Sequence, residues 1–216
     1  MIKKPIATLL ATTLLTSFGA ISTEIEVKNI LGATHMNSLY QFTNKPVLEE
    51  GADVLANMGM AGIKLWFGPD YRTNYAQNHD WPDVYNLTEL AQTEYFNNMF
   101  SDPRFTSYSL ELATFDKHIA WKYGIDDDER QVIYDEVYSL AKYLLETYNN
   151  SGKTFILQNW EGDNDLGQNA SAEKVQDMII WLNARQDAIT DAVADTNHSN
   201  VNVYGAAECN KVGQPD

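Results

Sequence analysis

Short apolar segments alternate along this chain with longer segments of helical periodicity. Segments that read as strands lie at residues 30–37, 62–67 and 107–115, within 153–163, and at 201–209. The two longest helical patterns begin after Asp126 and Ser171, side chains that can cap a helix N-terminus. Parallel strands need crossover helices of this kind. The pattern therefore predicts an α/β fold with five parallel strands in the order 1-2-3-4-5.

Length and composition indicate a folded protein, and the charge is compatible with a neutral ligand such as a sugar. The chain has 216 residues, of which 44% are apolar, enough for one domain with a sizeable core. Its formal net charge is −15, which argues against a nucleic-acid partner because phosphates would be repelled. A single cysteine, Cys209, leaves no disulfide framework and no cysteine metal site.

The N-terminal residues resemble a secretory signal. Lys3 and Lys4 precede a mostly apolar run over residues 6–21, and Ala20-Ile21-Ser22 fits the small-x-small cleavage pattern. The alternative is a membrane anchor, but the run is shorter than the ~20 residues that a transmembrane helix needs. We therefore expect a cleaved signal peptide over residues 1–22, a domain over residues 23–216, secretion or export to a periplasm, and no membrane association after cleavage.

Two glutamates follow the last two predicted strands. Glu161 stands in the sequence Trp160-Glu161-Gly162-Asp163 after strand four, and Glu208 stands near the end of strand five. Ligands bind at the carboxyl ends of strands in parallel α/β folds. Because side chains alternate between the faces of a strand, each glutamate shares a face with a row of other residues. The predicted rows are Phe155, Leu157, Asn159 and Glu161 on strand four and Tyr204, Ala206, Glu208 and Asn210 on strand five. If the two strands are neighbours, the two glutamates approach each other at the same end of the sheet.

Paired carboxylates beside aromatic rings are typical of a glycosidase site. One carboxyl acts as acid or base while the other stabilises or attacks the sugar carbon, and like charges separate their proton affinities. Glu161 and Glu208 are thus the candidate catalytic residues. The candidate substrate-binding residues are polar or aromatic side chains near strand ends and in the long segment over residues 70–93: His35, Asn37, Trp66, Trp81, Asn159 and Trp160. The alternatives are that the carboxylates are merely solvated or ion-paired, and that the tryptophans pack in the core.

We expect no cofactor and no metal. Residues 163–167 partly match a calcium loop, but Lys174 occupies the position of the closing glutamate. The sequence contains no phosphate loop, no dinucleotide fingerprint and no zinc-binding helix motif.

The order of elements, together with the Asn159-Trp160-Glu161 sequence at the end of strand four, resembles the clan A glycoside hydrolases, which are (β/α)₈ TIM-barrel enzymes. In that clan the general acid/base is a Glu at the end of strand four, usually directly after an Asn. The resemblance therefore implies an acid/base role for Glu161, although Trp160 separates it from Asn159 here. The clan's nucleophile is a Glu at the end of strand seven, for which this chain has no counterpart.

The resemblance also implies an incomplete barrel. A full barrel has eight βα units and about 250 residues, whereas this sequence predicts about five units. We therefore expect a partial TIM barrel that is truncated or forms the N-terminal part of a longer enzyme. The expected function is a secreted glycoside hydrolase acting on a polysaccharide or oligosaccharide, or an inactive fragment of one. The alternatives are a non-catalytic carbohydrate-binding α/β domain and an open α/β domain with another ligand.

Overall fold

The structure is a computed structural model that describes residues 31–37, 41–116 and 121–209. Its sheet has five strands, all parallel, in the order β1-β2-β3-β4-β5. The strands are β1 (Gly32–Thr34), β2 (Gly62–Phe67), β3 (Ser107–Leu112), β4 (Lys153–Gln158) and β5 (Val201–Ala206). The predicted α/β class and strand order are confirmed, and the arrangement is consistent with a partial parallel α/β barrel. The predicted signal peptide and Asn210 lie outside the described residues.

Seven helices are found in the described part of the chain. They are α1 (Val47–Asn57), α2 (Tyr71–Asn74), α3 (Leu87–Gln92), α4 (Glu94–Ser101), α5 (Asp127–Thr147), α6 (Gly162–Leu166) and α7 (Ala172–Asp195). Asp126 and Glu129 form a reciprocal capping box at the start of α5, and Ser171 accepts a hydrogen bond from Lys174 N at the start of α7. Both caps lie where the sequence predicted the long helices to begin.

Strands β3 and β5 are shorter than predicted because each ends where its partner ends. Leu112 is paired with Phe67, the last residue of β2, and Ala206 is paired with Gln158, the last residue of β4. The segment over residues 70–93, expected to be irregular, contains the short helices α2 and α3. The chain therefore leaves the sheet earlier than the apolar pattern indicates, and the residues beyond each strand form the carboxyl edge.

The sheet has two different faces, set by the alternation of side chains along each strand. The apolar face packs against the helices and joins one core with α1, α3, α4, α5 and α7. Its central side chains are buried: Ile63, Leu65, Tyr108, Leu110, Phe155, Leu157, Val201 and Val203. The polar face carries the alternate side chains, among them Lys64, Trp66, Ser109, Glu111, Gln158 and Tyr204. The polar face is therefore the face of the sheet on which a ligand site can form.

None of the helices that the structure describes is both long and apolar enough to span a bilayer.

Candidate active site

A cluster of charged and aromatic side chains lies on the polar face at the carboxyl edge of the sheet. Lys64 and Trp66 come from β2, Glu111 from β3 and Gln158 from β4, while Glu208 follows β5. Because the strands are parallel and in register, residues near their ends reach the same edge. This carboxyl edge is where ligands bind in α/β folds.

Lys64 links the two carboxylates of the cluster. Its Nζ lies 3.2 Å from Glu208 Oε2 and 4.0 Å from Glu111 Oε2. These two oxygens are therefore separated by no more than the sum of the two distances. Glycosidase carboxyl pairs lie about 5 to 9.5 Å apart, so the geometry is compatible with joint action on one glycosidic bond.

The two carboxylates have different surroundings. Glu208 Oε2 accepts hydrogen bonds from Lys64 Nζ and from Gln158 Nε2, the latter at 2.9 Å. Glu111 is only 9% exposed, and its Oε2 accepts a hydrogen bond from the indole Nε1 of Trp66 at 2.9 Å. Glu208 is thus held by a cation and an amide, whereas Glu111 has lost most of its contact with water.

Burial raises the pKa of Glu111 to about 7. The positive charge of Lys64 lowers that pKa, and the negative charges of Glu208 and Glu161 raise it. A carboxylic acid with a pKa near neutrality is still partly protonated at pH 7. Glu111 can therefore donate a proton under conditions in which ordinary glutamates cannot.

Two indoles flank the carboxylates. The ring centroids of Trp66 and Trp160 are 6.2 Å apart with an interplanar angle of 80°, and Lys64 Nζ lies 5.6 Å from the centroid of the Trp160 ring. Trp160 is 45% exposed, so part of its ring remains accessible to a ligand. An exposed indole beside carboxylates provides an apolar surface on which the C–H groups of a sugar can stack.

Glu161 lies next to this cluster, on the turn between β4 and α6. Its backbone φ is +29°, which is unusual for a residue other than glycine, and its Oε2 accepts a hydrogen bond from Asn164 Nδ2 at 2.7 Å. Such backbone conformations are concentrated at functional sites. Glu161 and Glu208 both interact electrostatically with Glu111. The catalytic role of Glu161 stays a prediction.

The predicted row of side chains on β4 does share one face, but that face is the apolar one rather than the face that carries the carboxylates. Phe155, Leu157 and Asn159 point to the apolar face, and Gln158, on the polar face, contacts the Glu208 carboxylate. Asn159 is 1% exposed, and its Oδ1 accepts a hydrogen bond from the backbone N–H of Glu208. Asn159 therefore supports the backbone after β5 from within the core, rather than presenting its amide to a ligand.

Two further predicted binding residues are structural. Trp81 is 7% exposed, packs against Tyr71 and His79, and donates its indole N–H to Tyr75 O at 2.8 Å. His35 Nε2 lies 2.9 Å from Val47 O at the start of α1, and burial lowers the pKa of His35. Both side chains are used in packing at positions that the sequence assigned to substrate.

Asn37 is exposed and has a positive φ of 56°. Its role stays a prediction. Of the predicted substrate-binding residues, Trp66 and Trp160 are the two that the structure brings to the carboxylates.

The sequence analysis did not single out Glu111, Lys64 or Gln158. The available signal for Glu111 was a lone carboxylate within the otherwise apolar end of β3. Burying an ionisable group costs free energy, so such a residue is a candidate for a functional site. Within the described ranges, no group of three or more His, Cys, Asp or Glu side chains is arranged to hold a metal ion.

Comparison of the chain with protein-family models, with curated proteins and with solved structures found no match.

Proposed function

We propose that this protein is an exported glycoside hydrolase, in which Glu111 protonates the leaving glycosidic oxygen and Glu208 is the second carboxylate. The observation that carries the proposal is the pair of carboxyls joined by Lys64 at the carboxyl edge of the parallel sheet. One member is buried with a pKa of about 7, and the other is hydrogen-bonded by a cation and an amide. Two carboxyls in environments as different as these can take different roles in one reaction.

The substrate in this proposal is a polysaccharide or oligosaccharide. Trp160 offers a partly exposed ring next to the carboxylates, which suits the apolar face of a sugar. Export is part of the proposal because of the signal-like sequence over residues 1–22. The resemblance to the clan A enzymes supports the same reaction, with Glu161 as the alternative proton donor.

The test compares three isosteric variants, Glu111→Gln, Glu161→Gln and Glu208→Gln, with the wild-type chain. Release of reducing sugar from a panel of soluble polysaccharides and of nitrophenol from aryl glycosides would be measured. Loss of a general acid costs on the order of 10²–10⁴ in rate on a polysaccharide. The cost should be smaller on a nitrophenyl glycoside because that leaving group needs little protonation. We expect this split for Glu111→Gln and a loss on both substrates for Glu208→Gln.

The same change at exposed Glu94 is the matched control and should leave both rates unchanged. A split between substrates in Glu161→Gln, with full activity in Glu111→Gln, would transfer the acid role to Glu161. Wild-type protein that hydrolyses nothing in the panel would refute the catalytic proposal.

A second candidate function is carbohydrate binding without cleavage. It is favoured by one observation, the occupation of Glu208 Oε2 by both Lys64 and Gln158, which reduces its capacity to attack a sugar carbon. Retarded migration in gels containing a soluble polysaccharide, without sugar release, would support this function over hydrolysis.

A further inference from the structure

A cavity of about 200 Å³ lies beside the candidate proton donor, where the chain leaves β2 and β3. Trp66 and Glu111 line the cavity, as do Asp70 and Asn74, which stand at the two ends of helix α2. Pockets for drug-sized ligands measure about 300–1,000 Å³. This cavity is therefore of a size for one sugar ring rather than for an extended chain.

The wall of the cavity depends on a close approach between the segments after β2 and β3. A Cβ atom on Gly68 would lie 2.6 Å from the backbone oxygen of Ala113. Real Cβ atoms do not come so close to backbone atoms, so a side chain at this position would push the two segments apart. Both residues line the cavity, and the glycine thus sets its width.

The polar groups of the cavity suit hydroxyl groups. Asn74 carries an amide with an acceptor oxygen and two N–H donors, and Asp70 carries two carboxyl oxygens that can accept. Neighbouring hydroxyls of a sugar ring can each donate and accept, so they can pair with both residues. Trp66 adds an apolar surface, as in other small-ligand sites where a few polar groups orient a mostly apolar body.

The charges of the site oppose an anionic sugar. Among the described residues that line the cavity, two are acidic and none is basic. Lys64, the nearest cation of the cluster, is already paired with Glu208 and lies 4.0 Å from Glu111. Arg185, beneath the edge, is buried and donates hydrogen bonds to the backbone oxygens of Leu112 and Gln158. A carboxylate or sulfate on the ligand would thus meet repulsion from these acidic groups, with no cation among the described lining residues to pair with it.

We infer that this cavity is a monosaccharide subsite for an uncharged sugar, bound through Asn74 and Asp70 and placed next to Glu111. The inference rests on the proposed function for its ligand class and assigns two binding residues that the sequence analysis did not identify. It also predicts selectivity, because glycans built from uronic acids would be rejected.

The experiment measures binding rather than turnover. The full chain would be titrated with methyl β-glucoside, methyl β-mannoside and methyl β-xyloside, and with glucuronate as the anionic probe, while ligand-detected NMR follows saturation transfer. The variants are Asn74→Ala and Asp70→Asn. Asn57→Ala is the matched control, since Asn57 is also the last residue of a helix, α1, and is exposed.

We expect at least one neutral glycoside to bind, and glucuronate to bind at least tenfold more weakly. Asn74→Ala should weaken the binding of the neutral glycoside about 3- to 10-fold, which corresponds to one lost hydrogen bond. Asn57→Ala should bind as the wild type does. The inference is overturned if no neutral glycoside binds, if glucuronate binds as tightly, or if both cavity variants bind normally.

These outcomes are distinct from failure of the proposed function. Sugar binding that depends on Asn74 in a protein without hydrolytic activity would keep the subsite and remove the catalysis. Hydrolysis whose KM is unchanged in both cavity variants would keep the catalysis and remove the subsite.

Discussion

Replacing Glu111 by Gln should change how the stability of the protein depends on pH, whether or not the site is catalytic. The pKa of Glu111 is raised by burial from 4.5 to about 7. The folded state then holds this proton more tightly than the unfolded chain does. The resulting contribution to stability is fully present below pH 4.5 and is lost as the pH rises through 7.

The size of the effect follows from the shift of the pKa. A shift of about 2.5 pKa units, at about 1.36 kcal/mol per unit, corresponds to about 3 kcal/mol. Glu111→Gln keeps the side-chain size and an oxygen that can accept from Trp66, but it removes the ionisable group. The free energy of unfolding of the variant, relative to wild type, should therefore rise by about 3 kcal/mol between about pH 4 and about pH 8.

Urea unfolding of both proteins at several pH values across this window measures the difference directly, since other ionisable groups contribute to both proteins alike. The control is Glu94→Gln at an exposed position of α4, where the difference should stay within about 0.5 kcal/mol. A difference for Glu111→Gln that does not vary with pH would refute the description of Glu111 as a buried, partly protonated acid.

Two other substitutions test the surroundings of this acid. Lys64→Met removes a positive charge that lies 4.0 Å from Glu111, an interaction worth about 1 to 4 kcal/mol depending on screening. The pKa of Glu111, measured by ¹³C NMR titration of its side-chain carboxyl, should therefore rise by roughly one to three units. An unchanged titration would contradict the contact. Tyr75→Phe removes a hydroxyl that donates a hydrogen bond to His35 O and accepts one from Trp66 N. The free energy of unfolding, measured in urea, should fall by about 1–3 kcal/mol. The control Tyr204→Phe, at an exposed position, should leave it unchanged.

Much of the fold could be predicted because local signals agree with the topology. The capping box at Asp126 and the cap at Ser171 mark the starts of the two longest helices, and the intervening apolar segments form the strands. The ends of the strands were less predictable. They depend on where the neighbouring strand stops, which is a property of pairing and not of the local sequence.

The sequence predicted a candidate site at the carboxyl edge of the sheet, where the charged cluster lies, but it did not single out several members of that cluster. Strand periodicity shows that Phe155, Leu157 and Asn159 share a face. It does not show which face meets the helices, because the other face of β4 also carries an apolar side chain, Ile156. Alternation also fails beyond the end of β4, where Glu161 adopts a positive φ. As a result, the β4 side chain that contacts Glu208 is Gln158, which lies on the face opposite to the row predicted to meet Glu208.

The position of Glu111 depends on the helices packed against the apolar face of the sheet as well as on its neighbours on the polar face. Arg185 of helix α7 is 5% exposed, and its guanidinium donates to Leu112 O at 3.2 Å and to Gln158 O at 3.1 Å. Glu136 of α5 accepts hydrogen bonds from the backbone N–H groups of Phe115 and Leu87, which holds the segment after β3. Side chains on both long helices thus reach the carboxyl edge and hold the ends of β3 and β4 in place. Because the Glu111 and Gln158 side chains leave the backbone at these same strand ends, their placement beside Lys64 depends on contacts made by Arg185 and Glu136 from the helices.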